Sequence, residues 1–366
     1  MVMDNINRGQ TPNKILVVNV NWIGDVLFSL PLLASLRKAF PEASLTCWVV
    51  PRCAELLESQ PMVDAILLYD EKGKQRGWRA KYQFLRQLRA KGFDTVFLLH
   101  RSFSRTLLCT LAGIPERIGY RTWKRTWLLT HPVRASVGSP GPQDWIRHGK
   151  HKVEYFLDLA RAVGIEVNHP WYEIHLDDGQ KKRARDSLAK MGVNLQEPFI
   201  AVHPGANWDL KRWPPEFFSD LVGRFAQDDL QVLISGSFSD RSLIQKIIQP
   251  CQNNSRIWSL AGEWSLLDLA ALFQLAQLVV ANDTGPLHLA SAVGTPVVAL
   301  FGPTQPHLTG PYGKGAIRVL RKEVGCNEDP CYSLGCHENI CMRAITVEEV
   351  WRTCRELLNG IKLSAL

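Results

Sequence analysis

From Lys14 onward, short β-branched apolar runs alternate with longer stretches in which apolar residues recur at helical spacing. This is the pattern of a parallel sheet covered by helices. In the first half KILVVNV is expected as a buried strand. Leu27, Leu30, Leu33, Ala34 and Leu36 then follow at helical spacing until Phe40-Pro41 stops the helix. SLTCWVV, AILLY and DTVFLLH read as further strands, separated by a short helix near 54–59 and a basic helix over 83–91. Later helices are expected to include 107–112 and 153–163, the second ending at Gly164. The polar stretch from about 168 to 180, with Pro170 and DDGQ, is expected to join two halves.

The second half repeats the plan. FIAVHPG, LQVLISG, QLVVAND and TPVVALFG read as strands, and 216–225, 239–248, 265–276 and 286–293 as helices. A last helix opens with Thr346 and Glu349 at capping-box spacing. It carries Val350, Trp351, Cys354, Leu357, Leu358 and Ile361 on one face. The expected fold class is therefore α/β, with two Rossmann-like domains over 1–175 and 176–345 facing across a cleft. A helix over 346–366 is expected to pack back toward the first domain. In such sheets ligands gather at the carboxyl ends of the strands, so binding residues are expected in the loops that follow them.

Composition narrows the function classes. At 366 residues, 46% hydrophobic and 21% charged, the chain is longer than one core usually organises and too apolar to be disordered. The opening MVMDNINRGQTPNK lacks the apolar stretch of a secretory signal. The longest apolar region, 266–281, is interrupted by Asp268, Gln274 and Gln277. A cytoplasmic chain without a membrane span is expected. A net charge of +8 favours an anionic partner without choosing among nucleic acid, lipid headgroup and phosphorylated small molecule. Cys326, Cys331, Cys336 and Cys341 are separated by four residues each, with His337 beside Cys336. The number suits a structural metal and the even spacing suits it only in part, so metal ligation, disulfide pairing and packed thiols all stay open.

The sharpest constellation is Asn282-Asp283-Thr284-Gly285-Pro286-Leu287-His288, between a strand and a helix. Asp283 and Thr284 are good caps, Gly285 allows close backbone approach, and Pro286 suits a first helical turn. Free amides and the helix dipole there make an anion site fit for a diphosphate, with His288 in reach. A well-capped helix with a satisfied histidine is the plainer alternative. His203-Pro204-Gly205-Ala206, followed by Lys211-Arg212, ends another strand. Adjacent cations there would neutralise a phosphate leaving group, unless the segment is simply a solvated turn. In the first half Asp25 stands just after a strand, where pattern alone favours an N-cap over a general base. Arg101, Arg105, Arg117, Arg121, Lys124 and Arg125 form either a basic surface for a phosphorylated acceptor or a solvated charged face. No GxGxxG follows the first strand, and neither GxxxxGK[ST] nor Asp-x-Asp occurs. A sugar-nucleotide enzyme on this chain would thus offset diphosphate charge with Lys, Arg and helix amides.

NVNWIGDVLFSLPLLASLRKAFPEA, VVANDTGPLHLASAVGTPVVALFGPT and the Cys-rich segment running into CMRAITVEEV together resemble the bacterial lipopolysaccharide heptosyltransferases, glycosyltransferase family 9. The resemblance runs from Lys14 to about Leu358. It implies a GT-B fold and an inverting, metal-independent transfer of heptose from ADP-heptose to a phosphorylated lipopolysaccharide inner-core acceptor. The implied setting is the cytoplasm, peripheral to the inner membrane, at the inner-leaflet surface, and nucleic acid is not an implied partner. By the same resemblance Asp25 is the catalytic base and Lys211 contacts the donor phosphates. His203, Gly205, Arg212, Asp240, Asp283, Thr284, Gly285 and His288 line the donor site, Asp240 at the ribose. No cofactor is implied, and the late cysteines are a candidate structural metal site only. A branch of the family that glycosylates autotransporters holds iron with cysteines, a relation the even spacing leaves open. Gly205 and Ala206 depart from the family's small hydroxylated residues, leaving backbone or Asn207 to substitute. Two alternatives remain: the same fold with another donor sugar or a protein acceptor, and a non-catalytic nucleotide- or anion-binding module.

Overall fold

The structure, a computed structural model, describes residues 11–135, 149–167, 169–252, 254–262, 264–326, 331, 336 and 338–364, the side chains of 361–364 excepted. The polar opening over 1–10, His337 and the side chain of Ile361 lie outside the described residues. The chain divides between His175 and Leu176 into two compact units.

The first unit begins β1 (Lys14–Val18), α1 (Ile23–Ala39), β2 (Ser44–Val49), α2 (Pro51–Glu58), β3 (Ala65–Leu68), α3 (Trp78–Lys91). It continues β4 (Thr95–Leu98), α4 (Phe103–Leu111), β5 (Glu116–Tyr120), β6 (His131–Val133), α5 (Lys152–Arg161). All its strands pair in parallel, in the order β3-β2-β1-β4-β5-β6. Ile15 to Val18 are fully buried, as an apolar run between two neighbouring strands must be. Helix α1 is buried nearly all round from Val26 to Leu36 and packs against α5.

The second unit opens with α6 (Asp178–Lys190), β7 (Phe199–His203), α7 (Pro215–Gln227), β8 (Gln231–Gly236), α8 (Arg241–Ile248), β9 (Ile257–Ala261). It closes with α9 (Leu266–Leu275), β10 (Leu278–Asn282), α10 (Gly285–Ala292), β11 (Val297–Phe301), α11 (Pro306–Thr309), β12 (Ile317–Arg321), α12 (Ile340–Arg343), α13 (Val347–Ser364). Its order, β12-β11-β10-β7-β8-β9, is the first sheet's order read from the other side. Each sheet therefore has one place where successive crossovers leave in opposite directions: between β1 and β4, and between β7 and β10. Loops part there and leave a crevice at the carboxyl edge.

Among the described residues, four strands, the longer helix α6 and the one-turn helices α11 and α12 were not expected. β5, β6, β9 and β12 are short or half-exposed and lack a continuous apolar run. α6 is highly polar, and the DDGQ read as part of the join is its start: Asp177 and Gln180 form a complete capping box. The closing helix buries Val350, Cys354, Leu357 and Leu358 in the second unit's own core, beside Trp213, Phe218 and Phe225. Its capping box is half formed. Thr346 Oγ1 accepts from the Glu349 amide at 3.2 Å, while the Glu349 carboxylate turns to Lys322 Nζ at 2.8 Å. Among the described residues no helix is long and apolar enough to cross a membrane.

Trp213 joins this core to the edge of the sheet. It is fully buried, and its indole N–H donates to the Ile345 carbonyl at 2.9 Å. Trp213→Ala is expected to lower unfolding stability by about 3–5 kcal/mol, measured by urea denaturation. A loss below about 1 kcal/mol would show that the indole does not anchor the α12–α13 segment.

Candidate active site

At the second crevice, β10 ends in Asn282, a fully buried amide at the tip of an otherwise apolar strand. Its Nδ2 donates to the Pro204 carbonyl at 2.8 Å and its Oδ1 accepts from the Trp213 amide at 3.2 Å. One side chain thus ties the β10 edge to both ends of the loop that carries Lys211 and Arg212. Asn282 was quoted in the motif without a role. A polar residue closing a buried apolar strand was the signal for it, because such a group is kept only when both its ends are bonded.

That tie sets Lys211 against Asp283. Lys211 Nζ lies 2.5 Å from Asp283 Oδ2, which also accepts from Thr304 Oγ1 at 2.6 Å. His288 Nε2 stands 3.8 Å from Asp283 Oδ1. Burial pushes the Asp283 carboxyl up, but the His288 ring and the Lys211 ammonium outweigh it and hold the group well below the usual carboxylate range. An ionised Asp283 therefore orients a lysine whose ammonium also lies 5.4 Å from the Trp208 ring centre. Thr304 is a residue that sequence reasoning missed, since nothing local marks it.

The expectation that Asp283 and Thr284 cap the following helix is not met. Thr284 holds the N-cap position of α10 in extended conformation, yet its side chain makes no capping bond. Asp283 is turned to Lys211 and Thr304. Gly285 and Pro286 open the helix, and His288 is buried in its second turn.

Four other residues expected at the donor site, His203, Gly205, Arg212 and Asp240, are engaged within this unit. His203, 6% exposed, points into the sheet with Nδ1 3.0 Å from Ser235 Oγ. Burial lowers its pKa to about 4, against a smaller opposing pull from Asp240, so the ring is neutral. Asp240 Oδ2 accepts from the Ser237 amide at 2.9 Å and from Ser237 Oγ at 2.6 Å, closing the turn after β8. A Cβ at Gly205 would come within 2.8 Å of that same oxygen, which explains why no side chain stands there. Arg212 donates to the Ala206 carbonyl at 2.9 Å and pairs with Asp209 at 2.7 Å.

At the first crevice, Asp25 lies in the first turn of α1, where Trp22 is the N-cap and makes no side-chain bond. The N-cap reading of Asp25 is thereby set aside. Asp25 Oδ2 instead accepts from Lys152 Nζ at 3.1 Å, at the start of α5. Around it a buried scaffold joins the β1 and β4 loops. Arg105 donates to the Asn19 carbonyl at 3.0 Å and to Asn21 Oδ1 at 2.9 Å, and Asn21 Nδ2 lies 3.5 Å from His100 Nε2. Arg125 donates to the His100 carbonyl at 2.6 Å. Burial, followed by the charges of Arg105, Arg125 and Lys152, lowers the His100 pKa to about 4. Arg105 and Arg125 are thus interior braces, and Arg117 binds the Leu128 and Ile114 carbonyls. Of the expected basic surface, Arg101, Arg121 and Lys124 are exposed.

Residues 81–338 match the family model of glycosyltransferase family 9 (heptosyltransferase). The chain belongs to that family. It is 30% identical over 324 residues to lipopolysaccharide heptosyltransferase 2 of Escherichia coli K12, covering 85% of this chain and 89% of that one. Among solved structures it is similar to E. coli ADP-heptose LPS heptosyltransferase II, with a TM-score of 0.76 and 25% identity over 95% of this chain and 99% of the other. The family 9 glycosyl transferase of Veillonella parvula shares the fold, with a TM-score of 0.82 and 23% identity over 98% and 99% of the two chains. The fold is GT-B, and the enzyme is a glycosyltransferase of the lipopolysaccharide-core heptosyltransferase family.

In this family 9 member Cys47, Cys53, Cys109, Cys251, Cys336, Cys341 and Cys354 are free thiols, as is Cys326. Burial pushes the Cys341 thiol up, and Cys336 and Cys331 push the same way more weakly. Cys326 is exposed. Among the described residues no three His, Cys, Asp or Glu side chains are placed to hold a metal ion.

The buried neutral ring of His203 ties folding stability to pH. Its folded pKa lies below the unfolded value of about 6.5, so its contribution is present above that value and is lost as pH falls toward about 4, when the unfolded chain binds the extra proton. His203→Gln is expected to flatten the pH dependence of unfolding stability in that window. Equal slopes for variant and wild type, by denaturant titration at several pH values, would contradict the neutral buried ring.

Proposed function

We propose that this protein transfers heptose from ADP-heptose to an inner-core hydroxyl of a phosphorylated lipopolysaccharide acceptor, with inversion and with no metal in the step. The observation that carries the reading is the pairing of charge at both crevices. A carboxylate, Asp25, is held by Lys152 at one, and an ammonium, Lys211, is held by Asp283 at the other. Together they supply a proton acceptor for the nucleophile and a cation for the leaving group. The ADP-heptose donor is also that named for the E. coli relative.

In this mechanism the acceptor hydroxyl gives its proton to Asp25 while its oxygen attacks the anomeric carbon from the face opposite the diphosphate. The bond from that carbon to the phosphate oxygen breaks, and ADP leaves with the electron pair. Lys211 and the amino-terminal dipole of α10 stabilise the developing charge, and Thr284, whose hydroxyl makes no cap bond, lies beside it. The enzyme acts from the cytoplasm, associated peripherally with the inner membrane.

The test incubates protein with ADP-heptose and truncated lipopolysaccharide and follows ADP release and product mass. Asp25→Asn is expected to lower turnover by about 10²–10⁴-fold while ADP binding is kept, and a chelator should leave the wild-type rate unchanged. Full activity in Asp25→Asn, or loss on chelation, would overturn the mechanism. Lys211→Met should cost about 10²–10³-fold in kcat.

A further inference from the structure

The carboxyl edge of the first sheet carries large aromatic side chains in open solvent. Trp123 is 87% exposed and Trp127 71%, both in the loop after β5, and Phe103 at the start of α4 is 38% exposed. Phe103 and Trp127 have ring centres 6.4 Å apart, so the loops after β4 and β5 present one apolar patch. Cations interleave with it: Lys124 Nζ stands 4.8 Å over the Trp123 ring, and Arg101 and Arg121 flank the same two loops in exposed positions.

The loop that carries the two tryptophans is braced from inside. Arg125, fully buried between Trp123 and Trp127 in sequence, donates to the Tyr120 carbonyl at 2.7 Å and to the His100 carbonyl at 2.6 Å. It bolts the β5 loop to the β4 loop. The Trp127 indole N–H donates to the Lys124 carbonyl at 3.1 Å. Large apolar groups fixed outward with no local cover mark a docking surface.

We infer that the Phe103–Trp123–Trp127 patch with its flanking cations docks this enzyme on an anionic lipid bilayer. Indole rings settle at the level of lipid headgroups, and lysine and arginine beside them are attracted to anionic lipid. Protein interfaces differ in that their cores are depleted of lysine, whereas here Lys124 lies over the most exposed ring. The loop after β4 also reaches the Asn21 amide just ahead of α1, so the patch lies on the edge of the unit that carries Asp25. A lipid-linked acceptor, on which this inference rests, would meet the enzyme at that edge.

The test measures co-sedimentation of the full chain with vesicles of phosphatidylcholine alone or with phosphatidylglycerol added. Binding is expected only with the anionic lipid and should weaken as salt is raised. Trp123→Ser with Trp127→Ser should lower partitioning at least about tenfold, and Lys124→Gln about fivefold, with unchanged thermal melting. In parallel, the double tryptophan variant should lose turnover on acceptor embedded in those vesicles and keep it on deacylated, water-soluble acceptor. Unchanged vesicle binding in the tryptophan variant overturns the inference. So does an equal loss of turnover on the soluble acceptor, which would make the rings a sugar platform, or a wild-type dimer that the substitutions dissolve. Absence of heptosyl transfer in the wild type would count against the proposed function, and the sedimentation readout would still decide the docking surface.

Discussion

The amide of Asn282 is the point on which the donor-side geometry turns. It is sealed from water, and each of its ends is bonded to a different stretch of the chain. An unbonded end would cost about 1–3 kcal/mol, so the strand edge and the loop after β7 are kept in one register. That register brings Lys211 against Asp283. The first unit uses a guanidinium for the same purpose, with Arg105 bridging Asn19 and Asn21 at the end of β1. Both crevices thus rest on a buried polar side chain that reaches from its own element to two points of a neighbouring loop, which fixes the loop more tightly than apolar packing could.

The charges in these crevices are balanced before any substrate arrives. Asp283 is kept ionised by its neighbours and His203 neutral by burial, so this crevice offers the Lys211 ammonium already oriented by a carboxylate. In the proposed reaction a diphosphate would share Lys211 with Asp283. The attraction would then be moderate in the ground state and grow as charge develops on the departing oxygen, the condition under which electrostatics accelerate a reaction.

Much of this fold was legible from periodicity because the central strands are apolar and β-branched on both faces, as in KILVV and LVVAN. β5 and β12 escaped because their half-exposed positions break any such run, and α6 because a polar, well-capped helix has almost no apolar stripe. For the site, the NDTGPLH stretch and Asp25 stand out by residue type and position after a strand. Residue type could not show that Asp283 faces a lysine 72 positions earlier. Nor could it show that His203 turns inward, or that Arg105 and Arg125 are interior braces, since an arginine looks the same in sequence whether it meets solvent or a carbonyl.

The placement of α13 bears on how the protein is made. The first unit's central cluster draws only on residues between Leu16 and Leu129, so it can consolidate while the rest is still being translated. The second unit's core includes Val350, Cys354, Leu357 and Leu358, which emerge from the ribosome after every strand they cover. Until then the face around Trp213 and Phe225 has no lid. Vectorial synthesis therefore gives the two halves unequal exposure to chaperones and proteases, the later half waiting open for its last turns of helix.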